Sequence, residues 1–177
     1  MNIAPAPNGG LSTRRALLAV IAASAVVAGC GFQLRQAPNF SFDRILIGTA
    51  PRSTLGIELT RSIASSGAVT VLPEGTPPEK AQVILDALVD QREKVVVGLN
   101  ASGQVREFQL RVRFKFKLRT PQGKELIPET ELLQQRDISF NEAAVLSKEA
   151  EEGLLYRDMQ TDIVQQLMRR LAAVKTF

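Results

Sequence analysis

Few side chains in this sequence could carry out catalysis. The 177-residue chain has one cysteine, Cys30, and no histidine, so it lacks the commonest general base and the commonest zinc ligand. It contains no nucleophile elbow, phosphate-binding loop or dinucleotide fingerprint. Asp86 and Asp90 are predicted to share one strand face about 13 Å apart, too far for a glycosidase carboxylate pair. We predict a binding protein with no metal and no cofactor, rather than an enzyme.

The clearest polar cluster is a row of cations on one predicted strand. From Val105 to Leu118 apolar and polar residues alternate, which is typical of a strand with one buried face. The polar positions carry five cations about 6.6 Å apart, namely Arg111, Arg113, Lys115, Lys117 and Arg119. This cationic row could bind the phosphates of an extended polyanion. It could equally be a solvated face on which Glu129 and Glu131 neutralise two of the cations.

Nucleic acid is a poor ligand for this row. The chain has 22 basic and 18 acidic side chains, and two of the basic ones, Arg14 and Arg15, lie in residues 1–29. Without that segment the net charge is only +2, whereas nucleic-acid binding favours a stronger excess. Base stacking also needs aromatic residues on the cationic face, but the phenylalanines of this strand fall on the apolar face. A phosphorylated glycolipid suits the row better.

Lys148 is a second candidate for binding an anion. It lies at the start of a predicted helix, where the helix dipole disfavours a cation, directly after the loop at residues 141–146. The lysine could contact a ligand, or it could pair with Glu151 or Glu152 at the surface. Both interpretations stay open.

The first 29 residues are predicted to be a signal peptide that is removed. Arg14-Arg15 precedes an apolar segment of 12 residues at 16–27, which is too short to span a bilayer. It ends in Ala28-Gly29-Cys30, which resembles the lipobox of bacterial lipoproteins. That resemblance implies an S-diacylglycerol and an N-acyl chain on Cys30, and chains in that number anchor a protein firmly. The alternative is an ordinary signal peptide with a cysteine that lies near the cleavage site by chance.

Two further expectations follow from the segment after the cysteine. Gly31 follows Cys30, where the resemblance to inner-membrane lipoproteins would require aspartate, so we expect the outer membrane with the protein facing the periplasm. Residues 30–41 show no sustained pattern, and we interpret them as a lipidated tether.

Residues 42–177 are predicted to form one α+β domain. Its expected elements are a strand near 44–49, a helix after Ser53-Thr54, strands at 81–99, 105–118 and 124–140, and a helix at 148–173 capped by Ser147. A further minor strand at 69–72 is less clearly marked. The order β-α-β-β-β-α indicates a two-layer sandwich. We expect a mostly antiparallel or mixed sheet of four strands with both helices on one face.

Charge pairing also predicts the register of the last hairpin. A three-residue loop at 121–123 opposes Lys115 with Glu129 and Arg113 with Glu131, and it opposes Val112 with Leu132. Such cross-strand pairs contribute roughly 0.2–1 kcal/mol each. A two-residue loop would place apolar residues on the wet face. Pro128 predicts that this last strand lies at an edge or contains a bulge.

Four segments resemble the LptE family, the lipopolysaccharide-assembly lipoproteins of the Gram-negative outer membrane. The first is A-G-C-G-F-Q-L-R at 28–35, which matches the start of the mature family sequence. The others are Gly103–Gln109 at the turn into the alternating strand, Glu125–Pro128, and the end of the last helix at Arg169-Arg170-Leu171. They lie at intervals that span nearly all of the mature chain.

The resemblance implies two binding partners. One is the β-barrel translocon LptD, in whose lumen LptE sits as a one-to-one plug, and the other is lipopolysaccharide during its insertion into the outer leaflet. A family lysine implicated in ligand contact falls on Lys148. A second family cation falls on Ala101, where this chain has none, and Arg106 could take its place. The alternative is an unrelated outer-membrane lipoprotein that acts as an envelope or barrel-assembly scaffold without binding lipopolysaccharide.

Overall fold

Five strands and two long helices form the part of the chain that the computed structural model describes, residues 38–141 and 145–175. The predicted signal peptide, Cys30 and most of the predicted tether lie outside these residues. The elements are β1 (Arg44–Gly48), α1 (Thr54–Ser65), β2 (Thr70–Leu72), β3 (Val83–Leu99), β4 (Val105–Arg119), β5 (Glu125–Ser139) and α2 (Val145–Ala172).

The sheet has the order β2-β1-β3-β4-β5. Strand β1 pairs in parallel with β2 and β3, and the remaining pairs are antiparallel. The predicted mixed α+β class is therefore confirmed, but the predicted count of four strands is wrong. The fifth strand is the minor segment Thr70–Leu72, which pairs with β1 from Arg44 to Leu46. Three residues are too few to show an alternating pattern. They are a strand only because they pair with the edge of β1.

Alternate residues of β4 form the centre of the hydrophobic core. Leu110, Val112, Phe114, Phe116 and Leu118 are all buried. The apolar stripes of both helices join them in one core cluster, Leu55, Leu59 and Ile63 from α1 and Met159, Ile163, Leu167 and Leu171 from α2. In each helix these residues recur every four positions, which is the spacing of one buried helical face. Phe40 and Phe42, from the segment before β1, belong to the same cluster.

Both helix starts can be compared with their predicted caps. The Ser53 hydroxyl accepts a hydrogen bond of 2.8 Å from the Gly56 amide, so Ser53 caps α1 as expected. Helix α2 begins at Val145, two residues before Ser147. The predicted cap at Ser147 is therefore wrong, because the helix already includes that residue.

A polar network joins both helices to β3. Gln160 of α2 is buried, and its side-chain oxygen accepts hydrogen bonds from Thr54 Oγ1 at 2.8 Å and Arg92 Nη2 at 2.5 Å. Its amide nitrogen donates to Glu58 Oε2 at 2.5 Å. Because every polar atom of this buried amide has a partner, the network fixes where the helices cross without leaving an unsatisfied group.

A bulge in β3 changes which side chains share a face. Asp86 pairs with Lys117, Ala87 with Phe116 and Val89 with Lys115, so Leu88 is an extra residue. Beyond it the alternation is reversed, and Asp90 lies opposite Phe114 on the helix side, where it accepts a hydrogen bond from Ser53. The prediction that Asp86 and Asp90 share a face is therefore wrong.

The turn between β4 and β5 follows the predicted three-residue loop. Thr120 N donates to Lys124 O, and Arg119 pairs with Glu125. Irregular pairing between Phe116 and Leu118 then shifts the register by two residues, so Leu132 opposes Phe114 and not Val112 as predicted. A shift of two keeps every side chain on its face. Pro128 lies in this irregular segment of an edge strand, as expected.

The close approach of α1 to Thr49, the residue directly after β1, generates a stability prediction. A Cβ atom on Gly56 would lie 2.3 Å from Thr49 Oγ1, whereas one on Gly153 in α2 would meet nothing within 4 Å. We expect Gly56→Ala to lower the free energy of unfolding by about 1–3 kcal/mol. Gly153→Ala should raise it by up to about 1 kcal/mol, as is usual inside a helix. Urea unfolding followed by circular dichroism measures both, and equal stability of the two variants would contradict the close contact.

Candidate functional site

The cations predicted from the sequence lie on two different faces. The cationic row on β4 occupies the open face of the sheet, because its members alternate with the buried side chains of that strand. Lys148 and Arg106 lie on the helix-covered side of the sheet, near the turn of the β3–β4 hairpin. The predicted residues therefore do not form a single site.

Carboxylates neutralise three of the five cations in the row. Arg119 donates to both oxygens of Asp86, at 2.6 Å from Nε and 3.3 Å from Nη2. Lys115 pairs with Glu129, and Arg113 Nε lies 3.5 Å from Glu131 Oε1. The predicted pairs of Lys115 and Arg113 thus form, although the register shift makes them diagonal contacts.

These contacts also raise the pKa of two of the cations. The hydrogen bond and negative charge of Glu129 raise the pKa of Lys115. The hydrogen bond to Asp86 raises the pKa of Arg119. Both side chains therefore stay charged over the whole range in which the protein would function.

The remaining two cations of the row are less engaged. Arg111 Nε donates to Gln109 Oε1 at 2.8 Å. Within residues 38–141 and 145–175, Lys117 forms no ion pair. Its partner on the neighbouring strand β3 is Asp86, which pairs with Arg119 instead. The open face is therefore largely charge-balanced, and only Lys117 and Arg111 remain for an external anion.

Lys148 lies in a small cleft that is formed by the start of α2, the start of β4 and the end of β5. Its ammonium donates to Glu151 Oε2 at 2.8 Å and to Ser139 Oγ at 3.2 Å. The cleft has a volume of about 60 Å³, and its apolar lining is Phe108, Ile138, Phe140 and Val145. Of the two interpretations left open by the sequence, the structure shows the ion pair, with Glu151 as the partner, and the lysine also borders a cavity.

Lys94 is a second cation of the same cleft that the sequence did not indicate. Its ammonium lies 2.6 Å from Glu152 Oε2 and 4.4 Å from the centre of the Phe108 ring. Uninterrupted alternation from Asp86 would place Lys94 on the open face, and only the bulge at Leu88 brings it to the helix side. The sequence indicates that Lys94 lies in a strand. It does not indicate which face of the sheet the side chain occupies, because the bulge depends on pairing with β4.

Arg106 is exposed and lies in β4 two residues from Phe108, toward the β3–β4 turn. Its carbonyl oxygen accepts a hydrogen bond of 2.8 Å from the Phe140 amide, and its side chain does not line the cleft. Several large apolar side chains near this end are in solvent, Val95, Val96, Val97, Leu99 and, with 83% exposure, Leu146. The cleft therefore combines two cations and two carboxylates, Glu149 and Glu152, with an apolar lining and apolar surroundings.

The two-layer α+β fold is one that several bacterial lipoproteins share. The structure is similar to that of an uncharacterized lipoprotein B from Nitrosomonas europaea, with a TM-score of 0.68 and 38% identity over 81% of this chain and 91% of the other. The rare lipoprotein B from Shewanella oneidensis has the same fold at a TM-score of 0.59 and 17% identity, covering 74% and 95% of the two chains. A minor lipoprotein from Acinetobacter baumannii has it at 0.58 and 16%, covering 76% and 94%.

The chain belongs to the LptE family, described as lipopolysaccharide-assembly, whose profile matches residues 42–171. The resemblance seen in the sequence is thereby confirmed. No curated protein sequence matches the chain significantly. None of the helices within residues 38–141 and 145–175 is long and apolar enough to cross a bilayer.

Tyr156 of α2, which lies near Lys94 of β3, gives a prediction of how stability depends on pH. Its hydroxyl donates to the Glu93 carbonyl at 2.8 Å, and burial, followed by the charge of Glu152, raises its pKa above the ordinary value of 10.0. The fold thus favours the neutral phenol, so this contribution to stability is complete below about pH 10 and is lost as the pH rises through the folded-state pKa.

We expect Tyr156→Phe to cost about 1 kcal/mol at neutral pH, with a smaller difference from the parent protein above pH 10. The chain has one tyrosine and no tryptophan, so near-ultraviolet absorption reports this phenolate alone. A titration midpoint at or below 10 in the folded protein would contradict the burial of the hydroxyl.

Proposed function

We propose that this chain is the lipoprotein subunit of the lipopolysaccharide translocon, held on the periplasmic side of the outer membrane by acyl chains on Cys30. The observation that carries the proposal is the family match over residues 42–171. The similarity to a lipoprotein at 38% identity and the lipobox at 28–30 support the anchor. In this role the chain binds and supports a partner and catalyses no reaction.

The proposed partner is the LptD barrel, which the domain plugs and whose assembly it supports. Strands β3, β4 and β5 have 17, 15 and 15 residues, which is roughly 50 Å at 3.3 Å per residue. The second half of β3 is largely exposed, and it carries the apolar side chains Val95, Val97 and Leu99. The length of these strands and the exposed apolar residues at the end of β3 suit contact with the wall of a wide barrel.

The proposed ligand of the cleft is the phosphorylated head of lipopolysaccharide. Lys148 and Lys94 supply point charges for a phosphate, and the apolar lining and surroundings suit the bases of acyl chains. A volume of about 60 Å³ admits one small group and not a whole acylated sugar, so the rest of the glycolipid would lie outside. Carboxylates pair with cations at both sites, and the cleft is favoured over the open face because its lysines lie beside an apolar lining.

Replacement of Lys148 tests the cleft. We expect Lys148→Ala to weaken lipopolysaccharide binding by about fivefold, because a partly exposed charge-assisted contact is lost. Lys80→Ala is the matched control, an exposed lysine at the opposite end of β3. Binding is measured with the purified lipidated protein in detergent. If the pair Arg111→Ala and Lys117→Ala reduces the affinity and Lys148→Ala does not, the glycolipid lies on the open face.

Purification from solubilised outer membrane tests the partner and the anchor together. We expect one large barrel protein in equal amount with the chain, and an intact mass that shows a diacylglycerol and an acyl group on Cys30. Depletion of the chain should remove surface lipopolysaccharide and leave the other barrel proteins in place. General loss of barrel proteins would instead support the scaffold alternative, and an unmodified Cys30 would contradict the lipid anchor.

A further inference from the structure

Both lysines of the cleft are held by carboxylates from the first turns of α2. Lys148 Nζ lies 2.8 Å from Glu151, and Lys94 Nζ lies 2.6 Å from Glu152. The two acids are consecutive in the sequence, and the two lysines come from different elements, α2 and β3. An anion that enters the cleft must therefore compete with a carboxylate at each cation.

Each lysine has a second contact that does not involve a carboxylate. Lys148 also donates to Ser139 Oγ at 3.2 Å, and Lys94 lies 4.4 Å from the centre of the Phe108 ring. These contacts would keep both ammonium groups at the cleft after the carboxylates had moved away. The lysines are thus positioned independently of the acids that neutralise them.

We propose that Glu151 and Glu152 act as internal competitors for the anionic groups of the ligand, and that Lys94 is the second cation that the ligand contacts. The acids occupy the two lysines in the free protein, and a phosphate displaces them on binding. This proposal rests on the proposed function, because it takes the phosphorylated glycolipid as the ligand.

The charges and exposure of these groups favour such an exchange. In the pair of Lys94 with Glu152 the side chains are 37% and 22% exposed, and ion pairs open to solvent are weak. A phosphate monoester carries about −1.5 to −2 charges at pH 7, so it outcompetes a single carboxylate for the same ammonium.

Neutral variants of the two acids test the competition in the full lipidated chain. We expect Glu152→Gln and Glu151→Gln each to tighten the binding of purified lipopolysaccharide in detergent by about two- to fivefold. Asp162→Asn is the matched control, since it removes the same charge from α2 and also breaks a surface ion pair, with Arg136. It lies about 15 Å farther along the helix, and it should leave the affinity unchanged.

The neighbouring lysine provides a second measurement that separates competition from a general charge effect. Lys94→Gln should weaken binding, and Glu152→Gln added to Lys94→Gln should give no gain, because the carboxylate no longer has a lysine to occupy. A gain of equal size in that background, or in Asp162→Asn, would overturn the proposal. So would unchanged or weaker binding by Glu152→Gln in a protein with the parent unfolding temperature.

Failure of this proposal differs visibly from failure of the proposed function. If the parent protein binds lipopolysaccharide and the acid variants bind no tighter, only the internal competition is wrong. If the parent and all variants lack binding, the glycolipid itself is the wrong ligand, and both proposals fall.

Discussion

The alternation of apolar and charged residues along β4 is the constraint on which the rest of the structure depends. Its even-numbered side chains from Leu110 to Leu118 are buried between the sheet and the two helices, so its odd-numbered cations must face the other way. Neighbouring strands then supply acids on the open face, and the helices supply acids on the covered side. Each group of cations is therefore neutralised by different elements, and the two faces act as separate electrostatic surfaces.

The two surfaces differ in what surrounds their charges. On the open face, carboxylates from both flanking strands reach the cations of β4, as Asp86 and Glu129 do for Arg119 and Lys115. In the cleft the neutralising acids are on α2, beside phenylalanine rings and solvent-exposed valines. Balanced charge on a flat sheet adds solubility, whereas charge beside an apolar cavity suits an amphipathic molecule.

Much of the fold could be predicted from short periods in the sequence. The long period-2 strand, both helical stripes and the turn at 121–123 follow from local pattern, and the structure has all of them. The strand at Thr70–Leu72 and the bulge at Leu88 depend on a partner strand, and no local period encodes either one. Lys148 could be singled out because a cation at a helix start is unusual. Lys94 could not, because its face depends on the bulge.

The bulge at Leu88 also determines where the length of the chain can vary. Between Val89 and Lys94, the loss of one residue would exchange inward and outward positions along that segment, and the cleft would lose its second lysine. At Leu88 the same deletion would only restore continuous pairing, because Ala87 and Val89 already face consecutive residues of β4. A chain shorter by one residue at this point would therefore keep Lys94 on the helix side of the sheet.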